Sequence, residues 1–129
     1  MPVKVVDASA AAALLFVEAE APLIVAALGD ADLVAPRLLS YELANVCITK
    51  IRAHPTEREA LVRAFATLDD LAIEIMDVVL RRVLDLAEQT GLSAYDASYL
   101  RLALDLDAPL VTLDKRLATA AHKMAVRSK

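Results

Sequence analysis

The sequence predicts an α/β protein, a three-layer α/β/α sandwich built around a mostly parallel sheet. Three observations lead there. Short aliphatic runs alternate with longer helix-forming segments from one end of the chain to the other. Two of those runs stop at an aspartate that also opens a helix pattern, VVDASAAAALL at Asp7 and LVTLDKRLA at Asp114. No repeat, low-complexity tract or linker rich in proline, glycine or serine divides the series, so residues 1–129 are expected to form one domain. A chain of that length can bury roughly two thirds of the surface its extended form exposes.

The elements follow in order. Val3 to Val6 is β-branched at three of four positions and reads as a strand. Asp7 sits at the turn, and DASAAAALLFVEAE reads as a helix because alanine and leucine lose little on becoming helical. A second helix covers residues 22–28, with Pro22 tolerated in its first turn and Gly29 and Asp30 stopping it. Residues 33–35 offer a short strand. RLLSYELANVCITKIRA is a long helix from about Arg37 that ends at His54, after which Thr56 can cap the next helix with Glu59 as the reciprocal acid. That helix, EREALVRAFATL, places Leu61, Phe65 and Leu68 on one stripe. LAIEIM is a third strand, and DVVLRRVLDLAEQTG a helix with an apolar line through Val79, Val83 and Leu86, closed by Gly91. Ser93 fits an N-cap for AYDASYLRLALDLD. PLVTL is the fourth strand, Asp114 can cap KRLATAAHK, and MAV either forms a small edge strand or simply closes the chain. The alanines of the first helix read only as a local helix-forming bias.

Composition narrows the classes of function. Hydrophobic residues make up 58% of the chain, yet Asp7, Glu18, Glu20 and Asp30 interrupt the early apolar region, which argues against a membrane span or a signal peptide and for a cytoplasmic protein. Cys47 stands alone in an apolar stretch and reads as a small core residue. His54 and His122 are too few and too far apart for a histidine-rich zinc site. The net charge of −4 does not favour general adhesion to nucleic acid, but Lys50, Arg52, Arg58 and Arg63, and the basic tail with Lys123, Arg127 and Lys129, can supply local positive charge.

Four acids carry the chemical reading. In a parallel sheet the carboxyl ends of the strands share one side, so Asp7 and Asp114 can become neighbours there. Asp96 lies in the first turn of its helix, where SAYD also has capping-box spacing. Asp7 and Asp114 have the same alternative as N-caps. Glu42 has Leu38 and Leu39 before it and Val46 after it at helical spacing, which sets it on or beside the apolar stripe. It is either a helix-edge glutamate or a carboxylate whose burial a cation relieves. Asn45 can support the same edge or be a surface amide. Converging carboxylates require protonation, basic partners or a cation, and an all-oxygen set suits Mg²⁺, with Mn²⁺ as the alternative. Ser9 and Thr112, each two residues from an aspartate, can orient carboxylates or water, although small polar residues are common in such turns. Lys115 and Arg116 either hold substrate phosphate or are solvated first-turn cations. Tyr99 reads as packing on its helix and Tyr95 as closer to the cleft, where it can stack on a base.

Taken together, VVDASA, ELANV, LSAYDASYLRLA and LVTLDKRLA resemble the PIN-domain ribonucleases, especially the VapC-type toxins of bacterial toxin–antitoxin pairs, over nearly the whole chain and in order. The resemblance implies a PIN-like α/β/α fold and a Mg²⁺- or Mn²⁺-dependent endoribonuclease. It assigns the catalytic and metal-holding positions to Asp7, Glu42, Asp96 and Asp114, with Ser9 and Thr112 as polar helpers. It implies a homodimer and a small VapB-type antitoxin whose C-terminal segment blocks RNA and through which alone operator DNA is bound. Attack by water would leave a 3′ hydroxyl and a 5′ phosphate. The acids are equally compatible with a PIN-like nuclease in RNA processing or DNA cleavage, and the brevity of the chain leans toward the toxin. A noncatalytic interaction module predicts loss of a cleft acid, and none is lost. A Walker-type NTPase lacks its glycine-rich loop here.

Overall fold

The computed structural model describes residues 2–128, with side chains to residue 125, so Lys129 and the side chain of Arg127 lie outside the described residues. Four strands, β1 (Val3–Val6), β2 (Asp32–Pro36), β3 (Glu74–Met76) and β4 (Leu110–Val111), form one sheet in the order β3-β2-β1-β4. Every pairing is parallel, with Val5 opposite Val34 on one side and Leu110 on the other, and Ala35 opposite Ile75. The predicted strand LAIEIM is shorter than expected because residues 68–71 coil into a 3₁₀ turn and Ala72 takes a left-handed backbone, φ 52°. PLVTL contributes only Leu110 and Val111, since the Thr112 hydroxyl and the Asp114 backbone turn the chain away at once.

The helices are α1 (Ala8–Leu15), α2 (Ala21–Leu28), α3 (Leu38–Ala53), α4 (Arg58–Ala66), α5 (Leu80–Thr90), α6 (Ala94–Leu106) and α7 (Lys115–Ser128). From β1 to β3 the chain steps in one direction across the sheet. It then crosses back to lay β4 against the free side of β1. Right-handed crossovers place α1 to α4 on one face for the forward steps and α5 and α6 on the other for the return. The contacts agree: α1 packs on α2 and α3, whereas α6 packs on β1, β2, β4, α5 and α7. This is the three-layer sandwich that the sequence predicts. The core runs through its middle, where Val5, Val6, Ala35 and Leu43 are fully buried and Tyr99, Leu100 and Leu117 close the α6 side. Ala10, Ala11, Ala12 and Ala13 are all buried as well, so the alanine run does more than favour a helix. Its small side chains let α1 lie close on its neighbours.

Several boundaries move for identifiable reasons. The first helix stops at Leu15, short of residue 20, because Val17 adopts φ 51° and closes a Schellman turn. There the Glu18 N–H donates to Ala13 O at 2.8 Å and the Val17 N–H to Leu14 O at 3.3 Å. Thr56 does not cap α4. Residues 55–57 form a 3₁₀ turn instead, and Glu57 occupies the cap position without a side-chain bond. Leu61, Phe65 and Leu68 are half-buried rather than core. Val79 precedes α5 and is 58% exposed, leaving Val83 and Leu86 as the buried line. MAV is neither strand nor tail: Met124, Ala125 and Val126 continue α7.

A β-branched residue in the left-handed region costs roughly 1–2 kcal/mol, and glycine there is free of that clash. Val17 is 82% exposed and gives up little burial, so Val17→Gly should stabilise the protein by about 1 kcal/mol in a urea unfolding curve. An unchanged or lowered midpoint would contradict the strain assigned to that turn.

Candidate functional site

The direction of travel across the sheet reverses between β1 and β4, and open parallel sheets hold ligands in the crevice beyond the strand ends at such a point. Asp7 is the first residue past β1, and Asp114 follows β4 by three positions. Each caps the helix that follows. The Asp7 Oδ1 accepts from the Ala10 N–H at 3.0 Å, and the Asp114 Oδ1 accepts from the N–H groups of Arg116 and Leu117 at 2.9 and 3.2 Å. The capping role that competes with chemistry in the sequence is therefore real, and it uses only part of each carboxylate.

Two hydroxyls fasten the crevice. Ser9 Oγ donates to Asp7 Oδ1 at 2.7 Å and accepts from the Leu113 N–H at 2.9 Å. Thr112 Oγ1 donates to Asp7 Oδ2 at 2.5 Å and accepts from the Asp114 N–H at 2.9 Å. Each hydroxyl has one proton, and both protons are spent on Asp7, so the 3.3 Å separation between Ser9 Oγ and Thr112 Oγ1 is a contact and not a third bond. Asp7, only 4% exposed, thus accepts two bonds at Oδ1 and one at Oδ2, which leaves acceptor capacity on Oδ2.

Glu42 stands in the second turn of α3, half-buried, and accepts from the Tyr99 hydroxyl at 2.6 Å. From the sequence, Tyr99 reads only as packing on its helix. The available signal was its position three residues after Asp96, on the same side of α6. Ser93 caps α6 through its hydroxyl at 3.0 Å from the Asp96 N–H, but the capping box is not completed: among the described residues no donor reaches the Asp96 carboxylate. Glu42, Asp96 and Asp114 consequently keep an oxygen that no described residue satisfies, and Asp7 keeps acceptor capacity on an oxygen that Thr112 already holds.

Electrostatics binds them into one group. Burial raises the Asp7 carboxyl above its ordinary range despite the three donors that lower it, and Asp114 adds to the rise. Burial likewise raises Glu42, against the Tyr99 bond, with Asp96 and Asp7 contributing. For Asp96 burial comes first, then repulsion from Asp114 and Asp7, opposed by Arg116. The Tyr99 hydroxyl is raised by burial and by its bond to Glu42, so it remains a donor at any physiological pH. Among the described residues no three His, Cys, Asp or Glu side chains form a ready ligand set for a metal. Hydrogen bonds hold Asp7, Glu42 and Asp114 toward the protein. The donors are all oxygen and carry surplus negative charge, which suits a hard cation that retains part of its water.

The cations sort differently from the sequence expectation. Lys50 is paired with Glu18 at 2.6 Å and Arg58 with Glu59 at 3.0 Å, so neither offers free charge. Arg116 donates to the Gly91 carbonyl at 2.6 Å, at the C-terminal end of α5. Beside Glu42 a groove of about 530 Å³ is lined by Leu38, Tyr41, Asn45, Val46 and Tyr95, which sets Tyr95 at the cleft as expected. Cys47 is buried, His54 ends α3 in the open, and no described helix is long and apolar enough to cross a membrane.

An all-parallel α/β/α sandwich with acids gathered where its strand order reverses belongs with the α/β proteins that work at the carboxyl edge of the sheet. The model of the PIN domain matches residues 4–123, and the chain belongs to that family, which is associated with nucleases. No curated protein sequence matches the chain. Among solved structures it is similar to PAE2754 from Pyrobaculum aerophilum, with 25% identity, a TM-score of 0.75, and coverage of 98% of this chain and 94% of that one.

Two measurements test the electrostatics. For a carboxylate whose folded pKa is raised, stability falls as pH rises from the unfolded value through the folded one. Metal-free Asp96→Asn should therefore gain melting temperature relative to wild type between about pH 4 and about pH 7, and a pH-independent gap would sink the coupling. Tyr99→Phe should cost about 1 kcal/mol by removing the only donor to a half-buried carboxylate among the described residues. Unfolding curves with superimposable midpoints would show that this bond contributes nothing.

Proposed function

We propose that this protein is a metal-dependent endoribonuclease of the VapC toxin type, hydrolysing RNA phosphodiester bonds under the control of a small VapB-type antitoxin. The observation that carries the reading is the acid group itself: carboxylates at the caps of α1 and α7, in the first turn of α6 and within α3, electrostatically coupled and each with acceptor capacity left over, at the point where the strand order reverses. Asp7, Glu42, Asp96 and Asp114 are the catalytic and metal-holding residues in this reading. Mg²⁺ or Mn²⁺, when bound, would lower the pKa of a water and offset charge growing on the phosphoryl oxygens.

The chain's own residues prepare that event. Ser9 and Thr112 aim Asp7 so that its remaining Oδ2 capacity faces the crevice, and their backbone acceptor bonds fix the turn that carries Asp114. Tyr99 holds one oxygen of Glu42 and leaves the other to orient a water or hold the ion. Asp96, free of protein donors and repelled by its neighbours, is the acid with most to gain from a cation. Water attacks in place of the adjacent 2′ hydroxyl, so the products carry a 3′ hydroxyl and a 5′ phosphate. Tyr95, two-thirds exposed beside Glu42, is placed for base stacking.

The partner surfaces follow from apolar exposure. The groove of Leu38, Tyr41, Val46 and Tyr95 suits a C-terminal antitoxin segment that would cover Glu42. Leu80 and Leu84, 75% and 61% exposed on α5, support a homodimer. A noncatalytic module would use the same apolar surfaces, but it gives no reason for the four coupled acids.

Asp7→Asn keeps the shape and most hydrogen bonds of the side chain. It should lower Mn²⁺-dependent RNA cleavage by at least about 100-fold while melting within a few degrees of wild type. Sequencing RNA ends after controlled expression of both proteins reads the target and the 5′ phosphate directly. A folded variant with full turnover, or wild-type cleavage that survives complete metal removal, would end the proposal.

A further inference from the structure

The acid crevice has a basic continuation. Between the C-terminal end of α5 and the outer side of α7 runs a groove of about 540 Å³, with Gln89 and Leu92 on one wall and Lys115, Arg116, Thr119 and Lys123 on the other. Lys115, Thr119 and Lys123 recur every four residues and so share one helix face. The two lysines stand roughly 12 Å apart along the axis. Arg116 joins the walls at the end nearest the acids through its bond to Gly91 and its attraction to Asp96.

The charge here is concentrated. Arg37, Lys50, Arg58, Arg81, Arg82 and Arg101 each meet an acid. Among the described residues Lys4, Arg52 and Arg63 make no ion pair but stand apart on β1, α3 and α4, whereas Lys115, Arg116 and Lys123, also without an ion pair, line one groove. A chain that carries −4 as a whole thus gathers three cations around one groove that begins beside Asp114. An occupant must bring the negative charge. One that also presents a cleavable bond to the acids is a polyanion running past both.

We infer that this groove binds the phosphate backbone of single-stranded RNA as it leaves the acid crevice, with Lys115 and Lys123 contacting phosphates one after another and Arg116 marking the junction. The inference rests on the ribonuclease reading for its substrate and adds to it the path of the strand along α7. Leu92 and Ala120 form an apolar floor beneath the cations, which suits sugar and base faces without reading sequence.

The test is binding without cleavage. A short fluorescein-labelled single-stranded RNA is titrated with protein in EDTA at several salt concentrations, comparing wild type, Lys115→Ala/Lys123→Ala and, as control, Arg58→Ala, whose charge Glu59 already meets outside the groove. Each phosphate contact contributes a slope of about −0.7 in log K against log salt. The double variant should lose about 1.4 of that slope and roughly 25-fold in affinity near 0.1 M salt, while the control matches wild type. Equal affinity and slope for double variant and wild type would overturn the groove assignment and leave the nuclease reading standing if Mn²⁺-dependent cleavage persists. Loss of RNA binding in the double variant, in a protein that cleaves no RNA with Mn²⁺, would keep the groove and remove the nuclease. Displacement of the labelled RNA from the acid crevice but not from the lysines by an acidic peptide leaves the assignment intact. Lysine-dependent binding of that peptide with no lysine dependence for RNA would overturn it in favour of a protein partner.

Discussion

The Thr112 hydroxyl donates to Asp7 across the seam between the first and last strands, and much else in the crevice depends on that bond. The two residues are 105 positions apart. Their meeting requires β4 to arrive beside β1, which requires the chain to cross back over the sheet after β3, which requires α5 and α6 to fill the opposite face. If β4 stood at any other edge, Thr112 would have no carboxylate to hold, and the Asp114 turn, fixed by the same hydroxyl, would lose its anchor.

Around that bond the protein accepts an electrostatic cost. Three acids are raised above their ordinary range chiefly by burial, and repulsion among the group adds to it. Helix N-termini offset part of the charge, since α1 and α7 begin just after Asp7 and Asp114, and Asp96 lies in the first turn of α6. Hydroxyl donors from Ser9, Thr112 and Tyr99 offset more. The remainder is negative charge that the described residues do not offset.

Charge is also divided in space. Surface ion pairs meet Lys50, Arg58, Arg81, Arg82 and Arg101 on α3 to α6 and contribute little to stability. The cations of α7 are left out of that scheme, so a protein with excess acid presents a negative crevice and a positive groove side by side. Net charge, the quantity most easily read from composition, conceals this.

Much of the architecture is local and was therefore legible. The β-branched run at Val3, the Gly29 and Gly91 stops and the Ser93 cap are decided within a few residues, and their alternation selects an α/β sandwich. Each acid is visible too, because Asp7 and Asp114 follow strands and Glu42 lies against an apolar stripe. The sequence alone could not decide between cap and crevice for those aspartates; in the tertiary structure each spends one oxygen on a helix, and the other is held by Thr112 in Asp7 and left without a described donor in Asp114. Nor could it reveal that Tyr99 would reach Glu42 from a helix 57 residues away, that Thr56 would lose its cap to a 3₁₀ turn, or that Lys50 would be silenced by Glu18. Those outcomes depend on which distant side chains the packed layers bring within a few ångströms, and periodicity along one strand or helix carries no information about that distance.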